Sequence, residues 1–433
     1  MVDVQSTQSQ TMMMIEHLHR WLLATLAVYL ALQPTNAATY IRSVTFGLAS
    51  LFGLLVVIAS VTGRDERIPS PGAGVLLALV TWCLWDFASL AWSLHPNYTA
   101  GELRREILFG LMMMGAVYVA MRDVRAWYTL VGAALSSFAL LAAMAVGLAA
   151  SPSGWDAGRW HVGVGAFSTY IVLIAPLMLT LLAPPPVGFG TSRVSVLLGV
   201  LLLVLILATA RMSDNRMVWV ALVIVFATMS GLAAFRWRSA LAHAPMRWLA
   251  PLFILLVVLG AMFAQTAIEK ARLHFPPSTS IAQTFTDDPR LALWERTIER
   301  IESHPWLGHG FGKSILDHEL REELHDPMLS HAHNIFASQW LQTGAIGFAA
   351  FVALLVALLW RYAELYRAKD DALAVLGIMG IALIMGFVIK NLTDDFLLRS
   401  NGKEFWMLNA ALLGFGARRA AAALPDASTP ANG

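Results

Sequence analysis

Charge is what this chain has least of. Only 13% of its 433 residues are Asp, Glu, Lys or Arg, whereas 58% are hydrophobic and the mean hydropathy is +0.63. A soluble globular protein carries about twice that share of charge. A chain this apolar cannot hide its side chains in one water-facing domain, so a lipid bilayer must be its solvent. Cysteine is nearly absent: Cys83 stands alone within the apolar run Val75–Ala91, which excludes an intrachain disulfide and fits a small buried hydrophobe. No H-E-x-x-H and no G-x-S-x-G occurs, so neither a metal-binding helix of the metalloprotease kind nor a serine nucleophile elbow is encoded. A cleavable secretory signal is missing as well. Met1–Gln10 is polar with only Asp3 charged, no small-residue cleavage site follows, and the first apolar run, from Leu18, reads as a retained signal-anchor helix.

What the chain does have is long apolar runs. A membrane-spanning helix needs about 20 mostly apolar residues. Twelve runs qualify: 18–33, 40–62, 74–93, 103–121, 126–150, 165–183, 193–211, 217–235, 247–268, 335–360, 371–390 and 404–423. The fold class expected is an all-α polytopic integral membrane protein of about twelve spans, with one large helical loop before the tenth. Four regions follow: a membrane region at 1–268, the loop at 269–334, a second membrane region at 335–423 and a tail at 424–433. Met1–His17 and Leu424–Gly433 read as disordered.

Twelve crossings put both termini on one side. That side holds fourteen Lys and Arg residues in short loops and tails, against nine in the short loops opposite, so the positive-inside rule makes it cytoplasmic. The seven basic residues of the long loop Glu269–Ser330 carry little weight for orientation. The long loop is then external, which in a Gram-negative inner membrane means periplasmic. Within it, Arg290–His304 places Leu291, Trp294, Ile298 and Ile301 at helical spacing, with Asp287 or Asp288 able to cap the start. A glycine-rich turn, His304–Gly312, precedes a second short helix at about Ser314–His325. The loop reads as a small helical cap over the membrane domain.

The external face is unexpectedly basic. Arg211 and Arg216 flank the turn Met212–Asn215, Arg104 and Arg105 open the fourth run, Arg159 and His161 precede the sixth, and Arg290 opens the cap helix. Arginine binds phosphate oxygens through a planar, permanently charged fork, so these residues are candidates for a phosphorylated lipid. The alternative is interfacial snorkelling or pairing with Asp214, Glu102 or Glu106. At the mouth of the tenth run stands His331-Ala332-His333-Asn334. The positive end of the helix dipole and nearby arginine disfavour imidazolium, which suits His333 to general-base work; Asn334 can cap the helix or orient the ring, and His331 is the weaker candidate. His331-x-His333 has no clear acidic third ligand nearby, so no metal or other cofactor is expected; the adjacent pair Asp394-Asp395 reads as helix capping or as facing arginine. Trp92, Tyr98, Trp155, Trp160, Trp294 and Trp306 could stack on sugars or simply form an interfacial belt.

These residues resemble the bacterial O-antigen ligase family, within the wider ligase/polymerase superfamily. Its H-[N/S/Q]-x9-G-x-x-G signature is matched by His333-Asn334 and Gly344-Ala345-Ile346-Gly347, and its HP-x-x-G-x-G turn by His304–Gly310. Phe348 departs from the small or hydroxyl residue that often follows. The resemblance implies an inverting glycosyltransferase of GT-C-like architecture that needs no metal. The donor would be a glycan on undecaprenyl diphosphate and the acceptor a sugar hydroxyl of lipid A–core. His333, Arg216 and Arg290 would be catalytic; Arg211, Asn334, His331, Arg159, Arg104 and Arg105 would bind substrate. The alternatives are a polymerase or a protein O-oligosaccharyltransferase of the same superfamily. A lipid-linked glycan transporter is a third, different class; it would need ionisable residues across mid-membrane, where Asp86 is the main acid.

Overall fold

The computed structural model describes residues 2–188, 190, 192–241, 245–274, 289–325 and 331–423. Among these, every regular element is helical. The helices are α1 (Val2–Leu32), α2 (Thr39–Val61), α3 (Ala73–Ala88), α4 (Pro96–Glu102), α5 (Phe109–Ala120), α6 (Val124–Ala149), α7 (Ala157–Trp160), α8 (Val164–Ile174), α9 (Arg193–Met212), α10 (Arg216–Arg236), α11 (Arg238–Leu241), α12 (Pro245–His274), α13 (Pro289–Ser303), α14 (Asp317–Leu324), α15 (Ile335–Arg367), α16 (Asp371–Lys390) and α17 (Arg399–Ala422). Nine helices among the described residues are long and apolar enough to cross a membrane. α1, α5 and α17 pack into the same bundle, although none of the three is among those nine. The protein is therefore a polytopic all-α membrane protein.

Lipid-facing and core-facing helices differ as the solvent requires. α2 exposes Leu51, Leu54, Leu55 and Ile58, and α9 exposes Leu197, Leu198, Val200 and Leu201, a surface that only hydrocarbon would tolerate. α16, by contrast, is buried along most of its length between α10 and α15. It reaches that position through small residues: a Cβ on Gly377 would fall 2.6 Å from the Tyr362 carbonyl of α15, so glycine sets the close helix–helix approach. The Tyr362 hydroxyl then donates to Asn409 Oδ1 at 2.7 Å, tying α15 to α17. Trp127 stacks on Phe415 at 5.0 Å, tying α6 to α17.

Three expectations shift. Met1–His17 is not disordered where described, since α1 is helical from Val2, as its Gln and Met content favours. The second loop helix is shorter than expected, Asp317–Leu324, and Leu316 before it supplies no side-chain cap. Leu103–Leu108 forms a π-helical turn before α5, rather than the regular start of a span. The expected caps Asp287 and Asp288 and the tail 424–433 lie outside the described residues.

The loop His304–Gly312 and the glycine pair of α15 are one structural unit. α15 breaks at Gly344, whose φ of 69° is left-handed. The break frees carbonyls, and the loop satisfies them: His309 N donates to Leu341 O at 3.0 Å and Gly310 N to Gln342 O at 2.8 Å. In return, Ala345 N donates to Pro305 O at 2.8 Å. A Cβ on Gly308 would sit 2.5 Å from Gln342 O, and one on Gly344 would strike the Trp306 carbonyl. Struts hold the loop from the other side: Trp92 Nε1 donates to Leu307 O at 2.7 Å, Ser314 N to the Tyr98 hydroxyl at 2.9 Å, and Phe311 N to Ser89 Oγ at 3.0 Å.

Candidate active site

His333 is placed by the start of α15. Asn334 is the N-cap: its Oδ1 accepts from Phe336 N at 2.9 Å and Ala337 N at 3.1 Å. Its Nδ2 donates to Leu392 O at 2.9 Å, and Ile335 N donates to Asn391 O at 2.9 Å. Asn334 therefore spends its amide on capping and on joining the helix start to the 391–395 turn, rather than reaching for a ligand. The residue before it, His333, is forced to φ 46°, a conformation rare for a side chain with a Cβ. Asp214, in the turn before Arg216, and Arg399 share this left-handed backbone, at φ 44° and 53°.

The 391–395 turn supplies what the sequence reading missed. Asp394 neither caps a helix nor faces arginine alone. Its Oδ1 lies 4.0 Å from His333 Nδ1, an ion-pair distance longer than a hydrogen bond. Its Oδ2 accepts from Lys390 Nζ, and Asn215 Nδ2 lies 3.5 Å from the same oxygen. Burial opposes ionisation of Asp394, but Lys390, then His333 and Arg290, hold its carboxyl well below the usual range. Asp395 behaves oppositely: burial pushes it up, although Lys313 pulls it down. Lys313, from the docked loop, donates to Asp395 O at 2.7 Å and lies 4.7 Å from the Phe396 ring. Burial lowers the Lys313 ammonium from its ordinary value, opposed by Asp395 and Asp394.

The His331 ring lies against that of His333, tilted by 34°, with 3.8 Å between ring centroids. Burial, with Lys313 and His333 adding to it, pushes His331 down to about 2. Arg290, half-buried at the start of α13, acts electrostatically on both His331 and Asp394. One turn further, Trp294 Nε1 donates to Ala332 O at 2.9 Å, which fixes α13 against the histidine segment. Arg216, half-buried, opens α10 directly after Asn215, whose Oδ1 caps that helix through Met217 N at 3.0 Å. The α10 start thus touches Asp394 through residue 215.

The other expected substrate residues have partners or surroundings of their own. Arg211 forms a two-bond pair with Glu269, at 2.7 and 2.9 Å. Arg105 pairs with Glu102 at 3.2 Å, and Arg104 is exposed beside it. Arg159 is exposed, 5.1 Å from the Trp160 ring. His161 is buried and hydrogen-bonded to the Pro34 carbonyl, away from solvent. His309 is a strut as well, its Nε2 3.0 Å from Arg300 O. Of the aromatics, Trp92, Tyr98 and Trp294 brace the loop, whereas Trp306 is exposed. Asp86 is not alone as a buried acid, since Glu404 of α17 is buried too. Among the described residues no three His, Cys, Asp or Glu side chains group as a metal set.

Fold and site define a class: a polytopic all-α membrane protein with a histidine–carboxylate pair at one end of the bundle, on which Arg290 acts electrostatically. Residues 198–352 match the sequence model of the O-antigen ligase family. The chain is also 24% identical over 355 residues to the O-antigen ligase of Pseudomonas aeruginosa, spanning 78% of this chain and 76% of that one. By these likenesses the chain is similar to O-antigen ligases, most directly over residues 198–352.

Proposed function

We propose that the protein transfers a glycan from undecaprenyl diphosphate to a sugar hydroxyl of lipid A–core, in the inner membrane of a Gram-negative bacterium. In this reading both termini are cytoplasmic, the architecture is GT-C-like with twelve spans, and the described part of the 269–334 loop, residues 289–325, covers a site facing the periplasm. The observation that carries it is His333, held in a left-handed backbone with Nδ1 toward the ionised Asp394, beside Arg290.

His333 Nε2 removes the acceptor hydroxyl proton as that oxygen attacks the anomeric carbon. The new carbon–oxygen bond forms as the bond from that carbon to the diphosphate oxygen breaks, which inverts the centre. The electron pair leaves with undecaprenyl diphosphate. Arg216 and Arg290 hold the diphosphate as its negative charge grows, so their effect is largest in the transition state. Asp394 stabilises the imidazolium that forms and keeps the free nitrogen toward the acceptor. His331, whose ring lies 3.8 Å from that of His333 between centroids, limits its rotation.

The test is transfer by purified protein, with undecaprenyl-diphosphate glycan and lipid A–core, with and without chelator. Wild type is expected to form product under both conditions, and His333→Ala to lose it. Glycan lengthened on its carrier lipid, with no lipid A–core product, would mean a polymerase. Equal activity of the variant would remove His333 from the mechanism.

A further inference from the structure

Lys390 is the last residue of α16 and is completely buried. A lysine at a helix C-terminus commonly serves the terminal carbonyls. Here others do that work. Asn391 N–H bonds back to the Phe387 and Val388 carbonyls, and Asn391 Nδ2 donates to Phe387 O at 2.8 Å. The ammonium instead turns to Asp394, four residues on, with the Phe396 ring at 5.7 Å. Burying an ammonium is costly unless it is paired, so its pairing with this one carboxylate needs an explanation.

We infer that Lys390 is a positioning residue for glycosyl transfer: by binding Asp394 Oδ2 it fixes the carboxylate so that Oδ1 is presented to His333. The inference rests on the reading of His333 as base. Asn215 lies against the same Oδ2 from α10, so that oxygen is approached from two sides and only Oδ1 faces the imidazole. Lys390, at zero exposure, cannot itself touch a substrate.

The charged and titratable groups facing Asp394 come from every neighbouring element. They are Lys390 from α16, Asp395 from the turn, His331 and His333 from the α15 start, Arg290 from α13 and Lys313 from the docked loop. Transfer needs neutral His333 beside ionised Asp394. Taking away the Lys390 cation raises the proton affinity of that pair as a unit, whichever member takes the proton. The acid limb of activity must then move to higher pH.

The experiment compares wild type, Lys390→Met and Lys390→Arg in the transfer assay across pH, after each is checked for a monodisperse folded state. Lys390→Met is expected to lower kcat about 100-fold at neutral pH with the donor KM unchanged. Its acid limb should rise by about one pH unit, and Lys390→Arg should restore the limb. An intact Lys390→Met with wild-type kcat and an unmoved limb would overturn the inference. So would equal losses in both variants with no movement of the limb, which would mark a packing role. If Lys390→Met does not fold, the double variant Lys390→Met/Asp394→Asn decides, because a residue acting through Asp394 makes it no less active than Asp394→Asn alone. A separate readout needs no substrate. The pH at half-maximal carbethoxylation of His333 by diethyl pyrocarbonate, followed by mass spectrometry, should rise in Lys390→Met. Wild type that transfers no glycan to lipid A–core would sink the ligase reading, while the carbethoxylation midpoint would still decide the role of Lys390.

Discussion

The two ends of the bundle carry similar residues and use them differently. At the end away from the loop, Arg419 pairs with Asp370 at 2.6 Å, Arg236 with Asp371 at 3.1 Å, and Arg122 with Glu66 at 3.5 Å. Those side chains keep partial access to water, and pairs of this kind contribute about 0–1 kcal/mol each. At the loop end, Lys390 and Asp394 are shut away, at 0% and 7% side-chain exposure. A buried pair repays its desolvation poorly, and losing one partner costs about 3–5 kcal/mol. Ordinary interfacial stability explains the first arrangement. It does not explain the second, whose arrangement supports a role in chemistry.

The comparison breaks most sharply if removing the base does nothing. His333→Ala is expected to lower kcat about 10²- to 10⁴-fold in the reconstituted transfer assay. Next in size is the lock between the loop and α15. Gly344→Val places a branched side chain at φ 69° against the Trp306 carbonyl. It should destabilise the protein by about 3 kcal/mol, read as a fall in Tm in detergent, and should lower activity through the misplaced His333.

The opposite end should respond weakly. Asp370 caps α16 through Ala372 N at 2.8 Å and binds Arg419; although burial opposes ionisation, these partners hold its carboxyl below the usual range. Asp370→Asn should cost about 1 kcal/mol in thermal unfolding at pH 7 and leave kcat unchanged. Because the folded carboxyl is depressed, its contribution is complete above the unfolded value. The gap from wild type should hold from pH 8 to 5 and shrink only below about pH 4. Smallest of all, Arg159→Ala is expected to change kcat/KM by less than about twofold, since Arg159 lies exposed on α7 beside Trp160. A larger loss would draw the acceptor path across that loop.

The all-helical membrane fold was legible because lipid demands long apolar runs. His333 and Asn334 could be singled out as candidates, as polar residues at the mouth of such a run, and Arg216 as a charge after a tight turn. Asp394 and Lys390 were not legible. They lie about 60 residues from His333, and the bond from Ile335 N to Asn391 O that joins the two segments leaves no trace in either one. One signal was there: a lysine ending a wholly apolar run with an aspartate four residues on, a spacing that lets the two meet. The Gly308–Gly344 contact was hidden for a related reason. Two glycines distant in sequence look like two turns until their backbones are seen to touch.

The break at Gly344 also works as a depth gauge. An unbroken helix of the 33 residues of α15 would run about 50 Å, well beyond the roughly 30 Å of hydrocarbon in a bilayer. The segment after the break, 345–367, is about 34 Å long and suffices for the crossing by itself. The nine residues before it are surplus length, bound to the loop rather than to lipid. They separate His333 from the break by about 15 Å of helix rise. In the reading proposed above, that extra length would let a phosphate-linked sugar meet His333 while its lipid tail stays in the membrane.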